Sequence, residues 1–379
     1  MRPSLLYERS NMKKPVFRCA ECGREVDVDT RMYRCDCGGA FELQFEAPAF
    51  DLEKVDRAEW SLFRYRSFMP LLDDSWRGVT MGEGMTPVIR LDDNTWVKLD
   101  YAMPTLSFKD RGAAVVIALC KSLGIRRVIQ DSSGNAGNSV AAYAARAGME
   151  CEIFVPRGTS PAKIDMIRSY GAHVEVFDGT RDETAEACRA KARTGAAYYA
   201  SHVFNPFFYQ GTKTYVYELF EQMGRLPDNL FVPVGNGTLY LGVHLALDEL
   251  EKAGLLSRRP TVWAVQSENC APILRAFEEG KDSPADVTPA PTMAEGIAIG
   301  KPVRGTRILQ LMRKHGDRVV GIPEKGILPA RQALAERGFF VEHTTAATYA
   351  AYLACQKAGL VQGQSLLPLC GAGLKSQGK

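Results

Sequence analysis

The sequence predicts an α/β protein with mainly parallel sheets, preceded by a small cysteine-bearing segment. Three observations carry this. From about Thr95 onward, short apolar runs alternate with longer helical stretches opened by Gly, Ser, Asn or Pro. Four cysteines crowd the N-terminus at Cys19, Cys22, Cys35 and Cys37, and the other six are scattered singly. The clearest apolar run, Ala113 to Cys120, falls far short of the roughly 20 residues a membrane helix needs.

The elements follow in order. The charged, cysteine-bearing piece ends near residue 45, and Ala47-Pro48-Ala49 connects it to the rest. Val128–Gln130, Glu152–Val155 and His173–Phe177 read as strands, with helices over Ala136–Ala147 and Ala162–Tyr170 between them. Leu230–Val234 and Thr261–Val265 are further strands, separated by a helix running to about Lys252. A helix over Pro329–Arg337 is expected to open on its proline. In such a fold ligands bind at the carboxyl ends of the strands, in the turns that lead into helices.

Composition narrows the function. The chain has 379 residues, 46% hydrophobic and 24% charged, with a formal charge of +3 from 47 basic and 44 acidic residues. This excludes a disordered chain and gives no reason to expect a nucleic acid or a membrane as partner. Ten cysteines in a chain this long do not make a secreted disulfide scaffold. The N-terminus lacks the apolar core of a signal peptide, so a reducing, cytoplasmic setting is expected.

Four stretches stand out. Ser107-Phe108-Lys109-Asp110-Arg111-Gly112 places a lysine at the start of an alanine-rich helix. The helix dipole there disfavours its charge, which suits imine chemistry. Asp110 and Arg111 are expected to pair locally and hold that turn. Ser132-Ser133-Gly134-Asn135-Ala136-Gly137 follows a strand and lets the backbone approach a ligand. Gly235-Asn236-Gly237-Thr238 also joins a strand to a helix and could cradle a phosphate, without the lysine of a Walker loop or the spacing of a dinucleotide fingerprint. Cys370-Gly371-Ala372-Gly373 ends an apolar run. Each stretch alone is compatible with an ordinary turn.

Together, in this order, they resemble the fold-type II pyridoxal-phosphate enzymes, most closely the threonine synthase family. Gly82-Glu83-Gly84-Met85-Thr86-Pro87, Gly211-Thr212-Lys213-Thr214 and Ala294-Glu295-Gly296-Ile297 support the match, which runs from about residue 80 to the C-terminus. The resemblance implies a two-lobed enzyme: a zinc-ribbon-like segment at 1–47, a large cofactor-binding lobe at 48–110 and 206–379, and a smaller α/β lobe at 111–205. It implies pyridoxal 5'-phosphate on Lys109, which would also remove the substrate α-proton. Asn135 would contact the ring hydroxyl, and Gly235, Asn236, Gly237 and Thr238 the phosphate. Ser132, Ser133 and Gly134 would hold the carboxylate of a small amino-acid substrate, and a homodimer is implied.

Two positions depart from the family pattern. Cys370 stands where a threonine or serine usually faces the ring nitrogen, and a neutral thiol is expected there. Phe208 stands where many threonine synthases carry an arginine toward the substrate phosphate. The family resemblance makes threonine synthase the best single activity to expect, and the Phe208 departure counts against O-phosphohomoserine as substrate. A β-eliminating ammonia-lyase or a β-replacing synthase is the alternative, and a non-catalytic cofactor-fold protein is the alternative from another class. Cys19-x2-Cys22 and Cys35-x-Cys37 supply four thiolates on two knuckles, which fits structural zinc. The five histidines show no metal spacing.

Overall fold

The computed structural model of the chain describes residues 14–376. The N-terminal stretch considered for a targeting signal lies mostly outside them.

The cysteine-bearing piece is a three-stranded antiparallel sheet of β1 (Val16–Cys19), β2 (Glu25–Asp27) and β3 (Phe41–Gln44), in the order β2-β1-β3. Alternation along β1 turns Phe17 and Cys19 inward, where they join Val28, Cys35 and Phe41 in a core shared with the body of the protein. A Cβ at Gly39 would lie 2.6 Å from the Cys19 sulfur, so only glycine fits beside it.

Two further strands follow, β4 (Val88–Arg90) and β5 (Thr95–Lys98), and then the helix α1 (Lys109–Ser122). The next segment alternates β6 (Arg127–Gln130), α2 (Asn135–Ala147), β7 (Glu150–Pro156), α3 (Pro161–Ser169), β8 (His173–Phe177), α4 (Arg181–Arg193) and β9 (Tyr198–Tyr199). Its four strands form one parallel sheet in the order β8-β7-β6-β9. Buried runs such as Val128-Ile129-Gln130 are what a parallel strand covered on both faces requires. Gly137 lets α2 start close above this sheet, since a Cβ there would fall 1.8 Å from the Ser132 carbonyl oxygen.

The chain then returns through α5 (Phe207–Thr212), α6 (Thr214–Met223), β10 (Asn229–Pro233), α7 (Thr238–Lys252), β11 (Thr261–Ser267), α8 (Pro272–Glu278), α9 (Gly305–His315), β12 (Arg318–Ile322), α10 (Ile327–Ala335), α11 (His343–Lys357) and β13 (Ser365–Pro368). The second sheet is six-stranded, in the order β12-β11-β10-β13-β5-β4. All its pairings are parallel except β4 with β5. The expected strands and helices are thus present, with ends displaced by a residue or two. One expectation fails: Pro329 does not open its helix but sits third in α10. A proline is tolerated there because the N–H groups of a first helical turn have no acceptor within the helix.

Candidate active site

The site lies where the ends of three strands and the starts of three helices converge. Lys109 is the first residue of α1, Asn135 of α2 and Thr238 of α7. The loop after β13 closes the group: the Phe108 N–H donates to the Cys370 carbonyl, and Ser107 bridges Gly371. Residues more than 250 apart in sequence are thereby clamped around Lys109.

The Lys109 ammonium donates to Thr238 Oγ1 at 2.9 Å and lies 4.4 Å from the Phe108 ring centre. Burial lowers its pKa to about 8. The direction is the one expected from the sequence, and desolvation is its largest cause. The Cys370 thiol is fully buried, and burial pushes it well above the usual thiol range. Its backbone N–H donates to Thr345 Oγ1 at 3.0 Å.

The loop Gly235-Asn236-Gly237-Thr238 has the form of an anion cradle. Gly237 takes a left-handed conformation at φ 75°, and a Cβ there would lie 2.4 Å from Ile308. Among the described residues, the N–H groups of Gly235, Asn236, Gly237 and Thr238 donate no hydrogen bond, although Gly235, Gly237 and Thr238 are buried. Unpartnered N–H groups at a helix start, with the Lys109 amine beside Thr238, fit a phosphate-bearing aldehyde. The loop Ser132-Ser133-Gly134 is equally ordered. Ser132 N–H donates to Gln130 Oε1 at 2.7 Å, and Gly134 N–H donates to Ser132 Oγ at 3.3 Å; Ser133 lies between them.

Below the Lys109 turn lies a buried ionic network. Arg111 donates through Nε and Nη2 to Asp100, and through Nη1 and Nη2 to Glu218, all within 2.8 Å. Lys98 also pairs with Glu218, at 2.9 Å. Burial opposes the Glu218 charge, but Arg111 and Lys98 hold it down to about 2. The expected Asp110–Arg111 pair is not formed. Neighbours on a helix point to different sides, and Asp110 instead accepts from the Thr105 N–H and hydroxyl.

Two residues at the site were missed in the sequence. Glu342 accepts from Asn135 Nδ2 at 2.9 Å, and burial raises its pKa. His202 is buried beside Phe208, their ring centres 6.0 Å apart, and Phe208 is itself 5.8 Å from the Lys109 amine. Neither belongs to a motif, since each reaches the site from a distant element. Phe208 is fully buried, and its ring fills the notch left by Gly112, where a Cβ would lie 2.3 Å away.

Residues 79–371 match the family described as pyridoxal-phosphate dependent enzyme. The threonine synthase of Methanocaldococcus jannaschii is 30% identical over 91% of this chain and 88% of its own length. The chain belongs to the threonine synthase-like family of pyridoxal-phosphate dependent enzymes. The threonine synthase of Mycobacterium tuberculosis is 31% identical over 82% of this chain and 87% of its own. Among solved structures, the T.th. threonine deaminase superposes with a TM-score of 0.66 at 25% identity, covering 79% of this chain and 96% of that one. Maize serine racemase gives 0.64 at 21%, covering 76% and 88%, a likeness of fold alone. The fold is that of fold-type II, as the sequence motifs imply.

The N-terminal cysteines form a separate cluster. The four sulfurs lie within 4.8 Å of one another, with Cys19 to Cys37 at 3.4 Å and Cys22 to Cys35 at 3.6 Å. All are free thiols. Tetrahedral zinc with Zn–S bonds of about 2.3 Å sets its sulfurs about 3.8 Å apart, so the four residues fit such an ion. The remaining cysteines are buried and free, and no helix among the described residues is long and apolar enough to cross a membrane.

Proposed function

We propose that this enzyme is a lyase or synthase that removes the α-proton of a small amino acid and then eliminates or replaces a side-chain group. Threonine synthase, the activity named for its relatives, is the best single assignment. The carrying observation is the Lys109 amine placed at 2.9 Å from Thr238, on the rim of the glycine loop. Pyridoxal phosphate, when bound, supplies the electron sink for the charge left on the α-carbon. Lys109 would hold it and carry the α-proton, and a pKa near 8 leaves an appreciable neutral fraction at neutral pH. Gly235, Asn236, Gly237 and Thr238 would hold the phosphate, Asn135 would orient the ring hydroxyl, and Cys370 would face the ring nitrogen. Ser132, Ser133 and Gly134 would fix the substrate carboxylate, so that its α-hydrogen is presented to Lys109.

A second reading is favoured by Phe208. Its buried ring offers no charge to a substrate phosphate, which points to a β-eliminating ammonia-lyase acting on serine, threonine or diaminopropionate, or to a β-replacing synthase. Screening the visible spectrum with serine, threonine, O-phosphohomoserine and diaminopropionate, with product analysis, separates these. Turnover of O-phosphohomoserine to threonine supports the first reading, and ammonia release from a hydroxy amino acid supports the second. Absence of any spectral response defeats both.

We also infer that the four N-terminal cysteines hold structural zinc, that the lobes divide at 48–110 with 206–379 and 111–205, and that the enzyme is a cytoplasmic homodimer. The sulfur geometry supports the first of these and the separate sheets support the second. The last rests on the family.

A further inference from the structure

His202 lies on the segment between β9 and α5, and this segment is tied down along its length. Ser201 Oγ accepts from the Val203 and Phe204 N–H groups, and Asn205 Oδ1 accepts from Phe207 N–H. Arg304 donates to the carbonyls of Val203 and Phe204. The His202 backbone is therefore fixed, and its ring is fixed as well. Gln130 Oε1 accepts from Ser132 N–H, a group that can only donate. The Gln130 amide is thus oriented with Nε2, a donor, toward His202 Nδ1 at 3.3 Å. Nδ1 must accept, so the proton of the neutral ring sits on Nε2. Burial, together with the charges of Lys109 and Arg181, holds the imidazole well below its usual range and keeps it neutral. Among the described residues no hydrogen bond uses His202 Nε2, and it is not among the side-chain atoms sealed from solvent without a partner.

We propose that His202 is a specificity-determining residue, whose Nε2–H hydrogen-bonds the side-chain hydroxyl of a β-hydroxy amino acid. This deepens the second reading above, the ammonia-lyase one, and rests on it. The same Gln130 holds both the carboxylate loop and the histidine, so the two ends of the substrate are read from one rigid frame. Phe208 beside the ring supplies an apolar wall that suits a methyl or methylene and not an anion.

The test compares threonine with 2-aminobutyrate, which lacks only the hydroxyl, by calorimetric binding to the holoenzyme and by the visible band of the cofactor. The wild type is expected to bind threonine about ten-fold more tightly, the worth of one neutral hydrogen bond. His202→Leu is expected to bind both equally, with KM for threonine rising and kcat falling less. His202→Gln, which returns a donor near the Nε2 position, is expected to recover part of the preference. Its thermal midpoint and its visible band report that the fold and cofactor are intact. An unchanged threonine preference in His202→Leu overturns the assignment and leaves the lysine chemistry standing. Failure of the wild type to bind either amino acid overturns the assignment together with the reading it rests on.

Discussion

Raising the pH from 7 to 9 should accelerate covalent uptake of pyridoxal phosphate by the apo-protein about ten-fold, and the rate should level off near the top of that range. The attacking species is the neutral Lys109 amine. Burial sets its pKa at about 8, so its neutral fraction rises from about one in eleven to about ten in eleven. An ordinary lysine, at about 10.4, would gain about a hundred-fold over the same interval without levelling. At pH 7 the buried amine has about 200–300 times the neutral fraction of the ordinary one. Stopped-flow absorbance after mixing apo-protein with cofactor measures the rate directly. A rate still climbing ten-fold per unit between pH 8 and pH 9 would refute the claim that the site depresses Lys109.

Three further outcomes are expected. Arg111→Met leaves Asp100 without its ion-pair partner and Glu218 with Lys98 alone, which costs about 3–5 kcal/mol and should lower the thermal midpoint by about 4–6 °C. Because Glu218 is held at about 2 when folded, its contribution to stability is present above its ordinary value and is lost as pH falls toward 2. The gap between wild type and variant, followed by thermal melts, should therefore narrow in acid. Cys370→Ser should leave the pH profile of the visible band unchanged between pH 6 and 9, since the buried thiol is neutral throughout; an inflection present only in the wild type would show a thiolate. Metal analysis after gel filtration should find about one zinc per chain, and a combined Cys22→Ser, Cys37→Ser variant should lose it together with the order of the ribbon in hydrogen exchange.

The fold was legible because each strand–helix unit carries its own signal: a buried apolar run, a small-residue turn, then helical periodicity, as in Val128 to Ala147. The residues brought to the site on motifs were legible for the same reason, since each sits at the turn its own unit creates. Glu342 and His202 were not. Their placement depends on which distant element faces them, Asn135 for one and Gln130 for the other. No local pattern encodes that. The partner of Arg111 was misread in the same way, because adjacency in sequence is not adjacency across a helix. The helix end at Pro329 was misplaced because its first turn accepts a proline at more than one position.

The central claim is that Lys109 is the residue that holds the cofactor. Reduction of the holoenzyme with borohydride, followed by peptide mass mapping, tests it most directly. The account predicts one pyridoxyl group per chain, on Lys109, and none on a Lys109→Ala variant that still folds. A pyridoxyl group on another lysine, or none on the wild type, would contradict it.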